Sequence, residues 1–274
     1  MEVNTLWAVY WSATDTTKTV VRAVADAAGE ALGLRAQVLD FTRPAARTEA
    51  LSFGQGDLVV FGTPTYAGRV PNVLLPYLKE KVRGNGALAV PVVLFGNRNY
   101  DDALIELRDI LEGDGFRTVA GGAFVGEHSF SRRLGRGRPD EADLALAADF
   151  GHQVAQKVRG LTTLPDTPVA VGGETPLRPY YTPRDRAGNP IDIRKVKPKT
   201  SDACDHCGLC ALLCPMGSID PEDERSVPGV CIKCCACEKH CPKGAKYFDD
   251  PGYVYHRTEL EEGYTRRAEP EVFL

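Results

Sequence analysis

Apolar runs and amphipathic stretches alternate along the first 160 residues. Leu6 to Trp11, inside TLWAVYW, is followed by a polar cluster and then by a helical pattern over Thr17–Leu32. The segments AQVLDF, DLVVFG, LAVPVVLFG and VAGGAFV are also short and apolar, as buried parallel strands are. Between them, Val73–Val82, Asp102–Glu112 and Glu141–Val158 place apolar residues at helical spacing. Five strands with interleaved helices predict an α/β fold built on a doubly wound parallel sheet. Strand order 2-1-3-4-5 is one of two common arrangements. The segment between Phe41 and Phe53 is too short and polar to assign.

From Leu161 to Thr200 the periodicity dissolves. This stretch carries Pro165, Pro168, Pro176, Pro179, Pro183, Pro190 and Pro198. Proline at that density removes backbone donors and favours extended chain, so residues 161–200 read as a semi-rigid linker. The expected organisation is an α/β domain over 1–160, the linker, a small cysteine-rich α+β domain over 201–250 and a tail over 251–274. The tail's Tyr253, Tyr255, Tyr264 and Phe273 point to docking, with the first domain as one candidate surface.

Hydrophobic content of 43% and charged content of 26% are ordinary for a globular chain, and 274 residues provide ample core. A net charge of −4 gives no reason to expect nucleic acid or an acidic membrane surface as partner. No apolar run approaches the ~20 residues needed to cross a bilayer. The N-terminus lacks a basic region and reads as a first strand, so a cytoplasmic location is expected.

All nine cysteines fall between Cys204 and Cys241. Without an export signal, such crowding points to metal more than to disulfides. CDHCGLCALLCP holds Cys204, Cys207, Cys210 and Cys214, and CIKCCACEKHCP holds Cys231, Cys234, Cys237 and Cys241. Both follow C-x2-C-x2-C-x3-C-P, the bacterial ferredoxin spacing for 4Fe–4S clusters. Two zinc sites, each bound by four cysteines, would use the same number of thiolates, but the third close cysteine, the closing Cys-Pro and the duplication argue for clusters. Resemblance to two-cluster ferredoxins implies cross-ligation. One cluster would take Cys204, Cys207, Cys210 and Cys241, and the other Cys214, Cys231, Cys234 and Cys237. Cys235 stands where such runs have a small residue, often glycine, and reads as buried packing. His206 and His240 lie inside the runs, but full cysteine sets leave them no ligand position.

Three loops of the first domain fall at the carboxyl ends of strands, where doubly wound sheets bind ligands. In SATDTT, residues 12–17, successive amides and a helix N-terminus would face an anion. Ser12, Thr14, Thr16 and Thr17 add hydroxyls, although an ordinary helix cap has the same composition. GTPTYAGRVPN, residues 62–72, offers Tyr66 as a stacking face on a turn shaped by Pro64, Gly68 and Pro71. FGNRNYDD, residues 95–102, places Asn97 and Asn99 beside Tyr100. A planar ring with polar edges suits the last two loops. A fourth segment, GEHSFSRRLGRGRPDE, could bring Glu127, His128 and Ser129 to the same place, with His128 as a proton relay near neutral pH. Its Arg132, Arg133, Arg136 and Arg138 would carry charge to solvent or dock an acidic redox partner.

These loops resemble flavodoxins, and the whole chain resembles the flavodoxin–ferredoxin fusions known as EFR-family ferredoxins. The likeness runs through SATDTTK, GTPTYAGRVP, GNRNYDDALIEL, FVGEHSFS, GRPD, both cysteine runs and the closing RRAEPEVFL. It implies a flavodoxin-like sheet carrying FMN, followed by two 4Fe–4S clusters. The implied FMN contacts are Ser12, Thr14, Asp15, Thr16 and Thr17; Pro64, Thr65, Tyr66, Ala67 and Gly68; and Gly96, Asn97, Asn99, Tyr100 and Asp102. Asp15 departs from the pattern, which has glycine there. A carboxylate about 4 Å from one phosphate charge would cost roughly 4 kcal/mol at an effective dielectric of ~20. Three outcomes stay open: FMN with Asp15 turned away, FMN held weakly, or a flavin domain without flavin.

The function these parts imply is electron transfer between iron–sulfur clusters and FMN, with a redox protein as donor or acceptor and no residue catalytic in its own right. A flavin-dependent reductase of a quinone, nitro compound or other small acceptor is the alternative. It requires an open pocket that Tyr66 and Tyr100 leave uncovered. No G-x-G-x-x-G follows a strand, so direct nicotinamide binding is not indicated. A zinc-stabilised interaction protein is a third class.

Overall fold

Sequence alternation resolves into layers. In the computed structural model, which describes residues 2–274, the strands are β1 (Thr5–Tyr10), β2 (Ala36–Asp40), β3 (Asp57–Pro64), β4 (Leu88–Phe95) and β5 (Gly121–Val125). A short β6 (Glu271–Phe273) comes from the tail. Along the sheet the order is β6-β5-β4-β3-β1-β2. The first five strands are parallel, and β6 runs antiparallel against β5. Read without β6, this is the flavodoxin-like order 2-1-3-4-5.

Successive side chains of β1 enter opposite cores, as a period of two requires. Leu6, Ala8 and Tyr10 pack beneath α1 (Thr16–Leu32) and α4 (Glu141–Gly160). Val9 and Trp11 join the other core with α2 (Leu75–Lys81) and α3 (Ala103–Gly113). Helices α1 and α4 approach closely through small residues. A Cβ on Gly151 would sit 2.4 Å from the Val24 carbonyl oxygen, so only glycine fits. Pro91 stands inside the fully buried β4, where a central strand ordinarily rejects proline. It falls where β4 changes partner, between the pairing with Arg117–Thr118 and the pairing with β5, so its missing N–H costs no ladder bond.

The cysteine runs contain one-turn helices, α5 (Leu209–Leu212) and α6 (Ala236–Lys239), and a two-stranded ribbon joins Lys199–Thr200 to Lys246–Tyr247. Cys234, Ala236 and Ile232 pack into the same core as Trp11 and Tyr66, so the second run sits at the carboxyl end of the sheet. The tail forms α7 (Pro251–Gly263), with Asp250 capping the Tyr253 amide and proline in the first turn. Asp-Pro at a helix start is a readable signal, but aromatic content draws attention away from it. Among the described residues, no helix is long and apolar enough to cross a membrane.

Candidate functional site

The turn between β1 and α1 is held open from behind. The Ser12 amide donates to Thr42 Oγ1 at 2.8 Å, and Ser12 Oγ accepts from the Lys18 amide at 3.1 Å. Among the described residues, the amides of residues 13–17 find no acceptor. Five free donors at a helix N-terminus make an anion cradle. Thr14, Thr16 and Thr17 line the cavity in front of it, with Pro64, Thr65, Glu127 and His128. Asp15 adopts the left-handed conformation the turn demands (φ 63°). Its half-exposed carboxylate lies 3.2 Å from Lys18 Nζ and 3.8 Å from His240 Nε2. The acid is therefore answered by two basic groups and does not line the cavity.

That cavity continues past Thr65, Tyr66, Gly96 and His128 into a larger one enclosing about 950 Å3, its open mouth included. Tyr66 and Arg69 exchange backbone hydrogen bonds at 2.9 and 3.1 Å, with Ala67 and Gly68 both at positive φ. The turn presents Tyr66 edge-on to Trp11, with ring centroids 5.9 Å apart. Burial, together with neighbouring Cys234, Cys235 and Cys231, pushes the Tyr66 phenol well above its ordinary pKa. Thr65 Oγ1, on the wall common to both spaces, is buried without a hydrogen-bond partner. Opposite, a Cβ at Gly96 would lie 2.4 Å from His128 Cδ2. An unpaired hydroxyl, a free-amide cradle and a continuous cleft fit a phosphorylated ligand with a planar head.

Three contacts expected from the third loop lie elsewhere. Asn97 donates to the carbonyls of Tyr264 and Arg266, both at 2.8 Å, and accepts from the Ala268 amide at 3.1 Å. Tyr100 donates to Glu271 Oε2 at 2.6 Å, and burial with that carboxylate raises its pKa. Asp102, fully buried, takes the Arg178 guanidinium and the amides of Glu174 and Arg178, which hold its carboxyl down at about 2. The reason is topological. The loop's inner residues, Gly96, Arg98 and Asn99, line the cavity, while these three secure the tail and the Pro-rich segment behind it. Tyr100 consequently does not cover the ring cavity.

His128 also departs from expectation. Burial, then His256, Lys239 and Arg98, push its imidazole down to about 3, so it is neutral at pH 7 and unsuited to relaying protons there. Its Nδ1 accepts from the Phe130 amide at 3.1 Å. Three of the four arginines of its loop serve internal contacts. Arg132 donates to the Glu238 carbonyl, Arg133 pairs with Glu261, and buried Arg138 grips Asp143. Lys239 of the second cysteine run returns the contact to Glu127 and the Ser131 carbonyl.

The eight paired cysteines converge in two groups. Cys204, Cys207, Cys210 and Cys241 line one cavity; Cys214, Cys231, Cys234 and Cys237 line another. Each group takes its fourth member from the other run. A zinc ion holding four thiolates at about 2.3 Å would draw the sulfurs to within roughly 3.8 Å of one another. Among the described residues, the one set of three or more potential ligands within 4.8 Å is Cys204, His206 and Glu224, with a single sulfur. His206 there contacts Glu224 at 3.0 Å and is largely exposed. No three of the eight thiols lie within 4.8 Å of one another among the described residues.

Cys235 borders the second cavity, yet its Sγ faces the Lys233 carbonyl and the Tyr253 hydroxyl, both at 3.4 Å. Its φ of 59° matches that of Gly208 (71°), the corresponding residue of the first run. Cys235→Ala is expected to keep full iron content and to lose about 1 kcal/mol of stability. Iron analysis and thermal unfolding check this, and loss of a cluster's iron would refute it.

The larger cavity is closed by residues that sequence alone does not connect with the loops. Tyr181 comes from the Pro-rich segment, His256 from α7, and Ile232 and Lys233 from the second cysteine run. No local signal marks them, because their role depends on contacts made across more than 100 residues.

No family model matches the chain. Over 86 residues it is 33% identical to the methylamine utilization ferredoxin-type protein MauM of Paracoccus denitrificans (strain Pd 1222). That match spans 24% of this chain and 38% of the relative. Among solved structures, the chain is similar to a flavodoxin from the domain Archaea, at 16% identity and a TM-score of 0.42, over 57% of this chain and 99% of the other. It is also similar to rubredoxin oxygen:oxidoreductase from Desulfovibrio gigas, at 16% identity and 0.42, over 58% and 37%. The chain combines a flavodoxin-like fold, established by its strand order, with local sequence similarity to a ferredoxin-type protein.

Proposed function

We propose that the chain is an electron-transfer flavodoxin–ferredoxin fusion of the EFR type, carrying FMN and two 4Fe–4S clusters. The observation that carries this reading is adjacency. Ile232 and Lys233, between Cys231 and Cys234, form a wall of the ring cavity, and Tyr66 packs into one core with Cys234. FMN would place its phosphate on the amides of 13–17 and its ring between the 64–68 turn and Gly96–Asn99. When bound, FMN accepts electrons one or two at a time, whereas each cluster exchanges one. The chain's own contribution is to bind, orient and tune the centres. Cys207, an exposed member of the first group, offers an outer edge for a redox protein partner.

A second reading is reduction of a small acceptor at the flavin. The cavity opens to solvent beside Tyr66, and Tyr100 is not over it. Steady turnover of a quinone or nitro compound faster than with free FMN would favour this version.

The test is flavin and iron content of protein purified without oxygen. About one FMN and about eight iron atoms per chain are expected. Iron without flavin, unrecovered on adding FMN, would overturn the reading.

A further inference from the structure

Among the described residues lining the larger cavity there is no carboxylate, while Arg98, Arg194 and Lys233 bring three cations. Two of these charges are answered nearby. Arg98 pairs with Asp101 and lies over the Tyr181 ring, and Arg194 pairs with Asp192 at 2.8 Å. Lys233 has no carboxylate in hydrogen-bond contact: its ammonium donates to neutral carbonyls, Arg194 O at 2.8 Å and Cys231 O at 2.7 Å, while Asp192 acts on it only from farther off. The corresponding residue of the first run is His206. Both precede the second cysteine of their run with nearly the same positive φ, 58° and 55°. His206 faces solvent, whereas Lys233 meets the flavin loops, because the second run is packed on the end of the sheet.

Resting on the FMN reading, we propose that Lys233 is the residue through which the iron–sulfur module sets the reduction potential of the flavin. Full reduction of a neutral oxidised ring takes two electrons and, to form the anion, one proton at N5. The electrons arrive singly, through the cluster bound by Cys214, Cys231, Cys234 and Cys237, from an external one-electron donor. The proton comes from solvent. The product carries one negative charge, and a fixed cation at the cavity wall favours it over the neutral ring. The cavity therefore prefers an anionic, reduced occupant, and the preference is imposed by a side chain from the other module. Lys233 acts through its field and is a positioning and tuning residue.

The experiment is a dithionite titration with reference dyes on anaerobic holoprotein, comparing wild type, Lys233→Met and Lys233→Arg. Lys233→Met should keep its flavin and iron. Its ratio of reduced to oxidised flavin at a fixed potential should fall about tenfold, as expected for one charge removed at short range. Lys233→Arg should restore the wild-type ratio. An unchanged ratio in Lys233→Met overturns the proposal alone. Equal loss of flavin from both variants also overturns it, since packing and not charge would then be at issue. Absence of flavin from the wild type would overturn the FMN reading and this proposal with it.

Discussion

Replacing Cys214 with alanine should empty the cluster site of the second cysteine run, although Cys214 belongs to the first. The expected iron content falls from about eight to about four atoms per chain. Pairing decides the ligand sets. Cys214→Ala with Cys231→Ala should lose no more iron than either alone, because both line one cavity, whereas Cys214→Ala with Cys207→Ala should lose nearly all of it. Reduction of the flavin should separate the single variants further. Cys214→Ala removes the centre beside Ile232 and Lys233, so internal transfer in stopped-flow traces should slow by orders of magnitude. Cys241→Ala leaves that centre in place. Iron loss following the runs, with Cys214 grouped with Cys204, Cys207 and Cys210, would refute the crossed arrangement.

Deleting residues 264–274 should release flavin and destabilise the fold together. The tail supplies β6, which covers the edge of β5, and it occupies all three hydrogen bonds of buried Asn97. It also accepts from buried Arg138 at the Ala268 carbonyl and from Tyr100 at Glu271. At about 1 kcal/mol per bond, with a larger cost for groups left unpaired in the interior, the loss should exceed roughly 4 kcal/mol. The Gly96–Asn99 wall of the cavity shares its loop with Asn97, so flavin affinity should fall with stability. Asn97→Ala is the milder test, expected to weaken flavin binding while the protein stays folded. Urea unfolding and flavin release by ultrafiltration measure both. Wild-type flavin affinity in the deletion would mean that the tail does not hold the loop.

The strands were legible because buried parallel strands must be apolar on both faces, and the segments around β1, β3 and β4 advertise this within a few residues, whereas their order stayed between two common arrangements until the sheet was seen. Both cysteine runs were equally plain, since thiolate spacing is a local property. The third loop misled for the opposite reason. Asn97, Tyr100 and Asp102 have side chains suited to the polar edge of a ring, and nothing local reveals that the tail and the Pro-rich segment claim them first. His128 likewise reads as a neutral-pH switch until its burial among Lys239, Arg98 and His256 is seen.

What the sequence determined by itself is the set of short-range features: hydrophobic periodicity, helix starts, and two four-cysteine spacings that can each present thiolates to one face. Tertiary structure alone decided where the carboxylate of Asp15 turns and which run meets the loops at the carboxyl end of the sheet; it also brings Cys241 to the first run and Cys214 to the second, as the ferredoxin resemblance implied. The first two of these outcomes depend on chain segments more than 100 residues apart coming into contact, as His240 does with Asp15 and Lys239 with Glu127. Local chemistry names the groups present. Packing of distant segments fixes which face each group shows, and here that choice sets Lys233 at the cavity wall and leaves His206, its counterpart in the first run, in water.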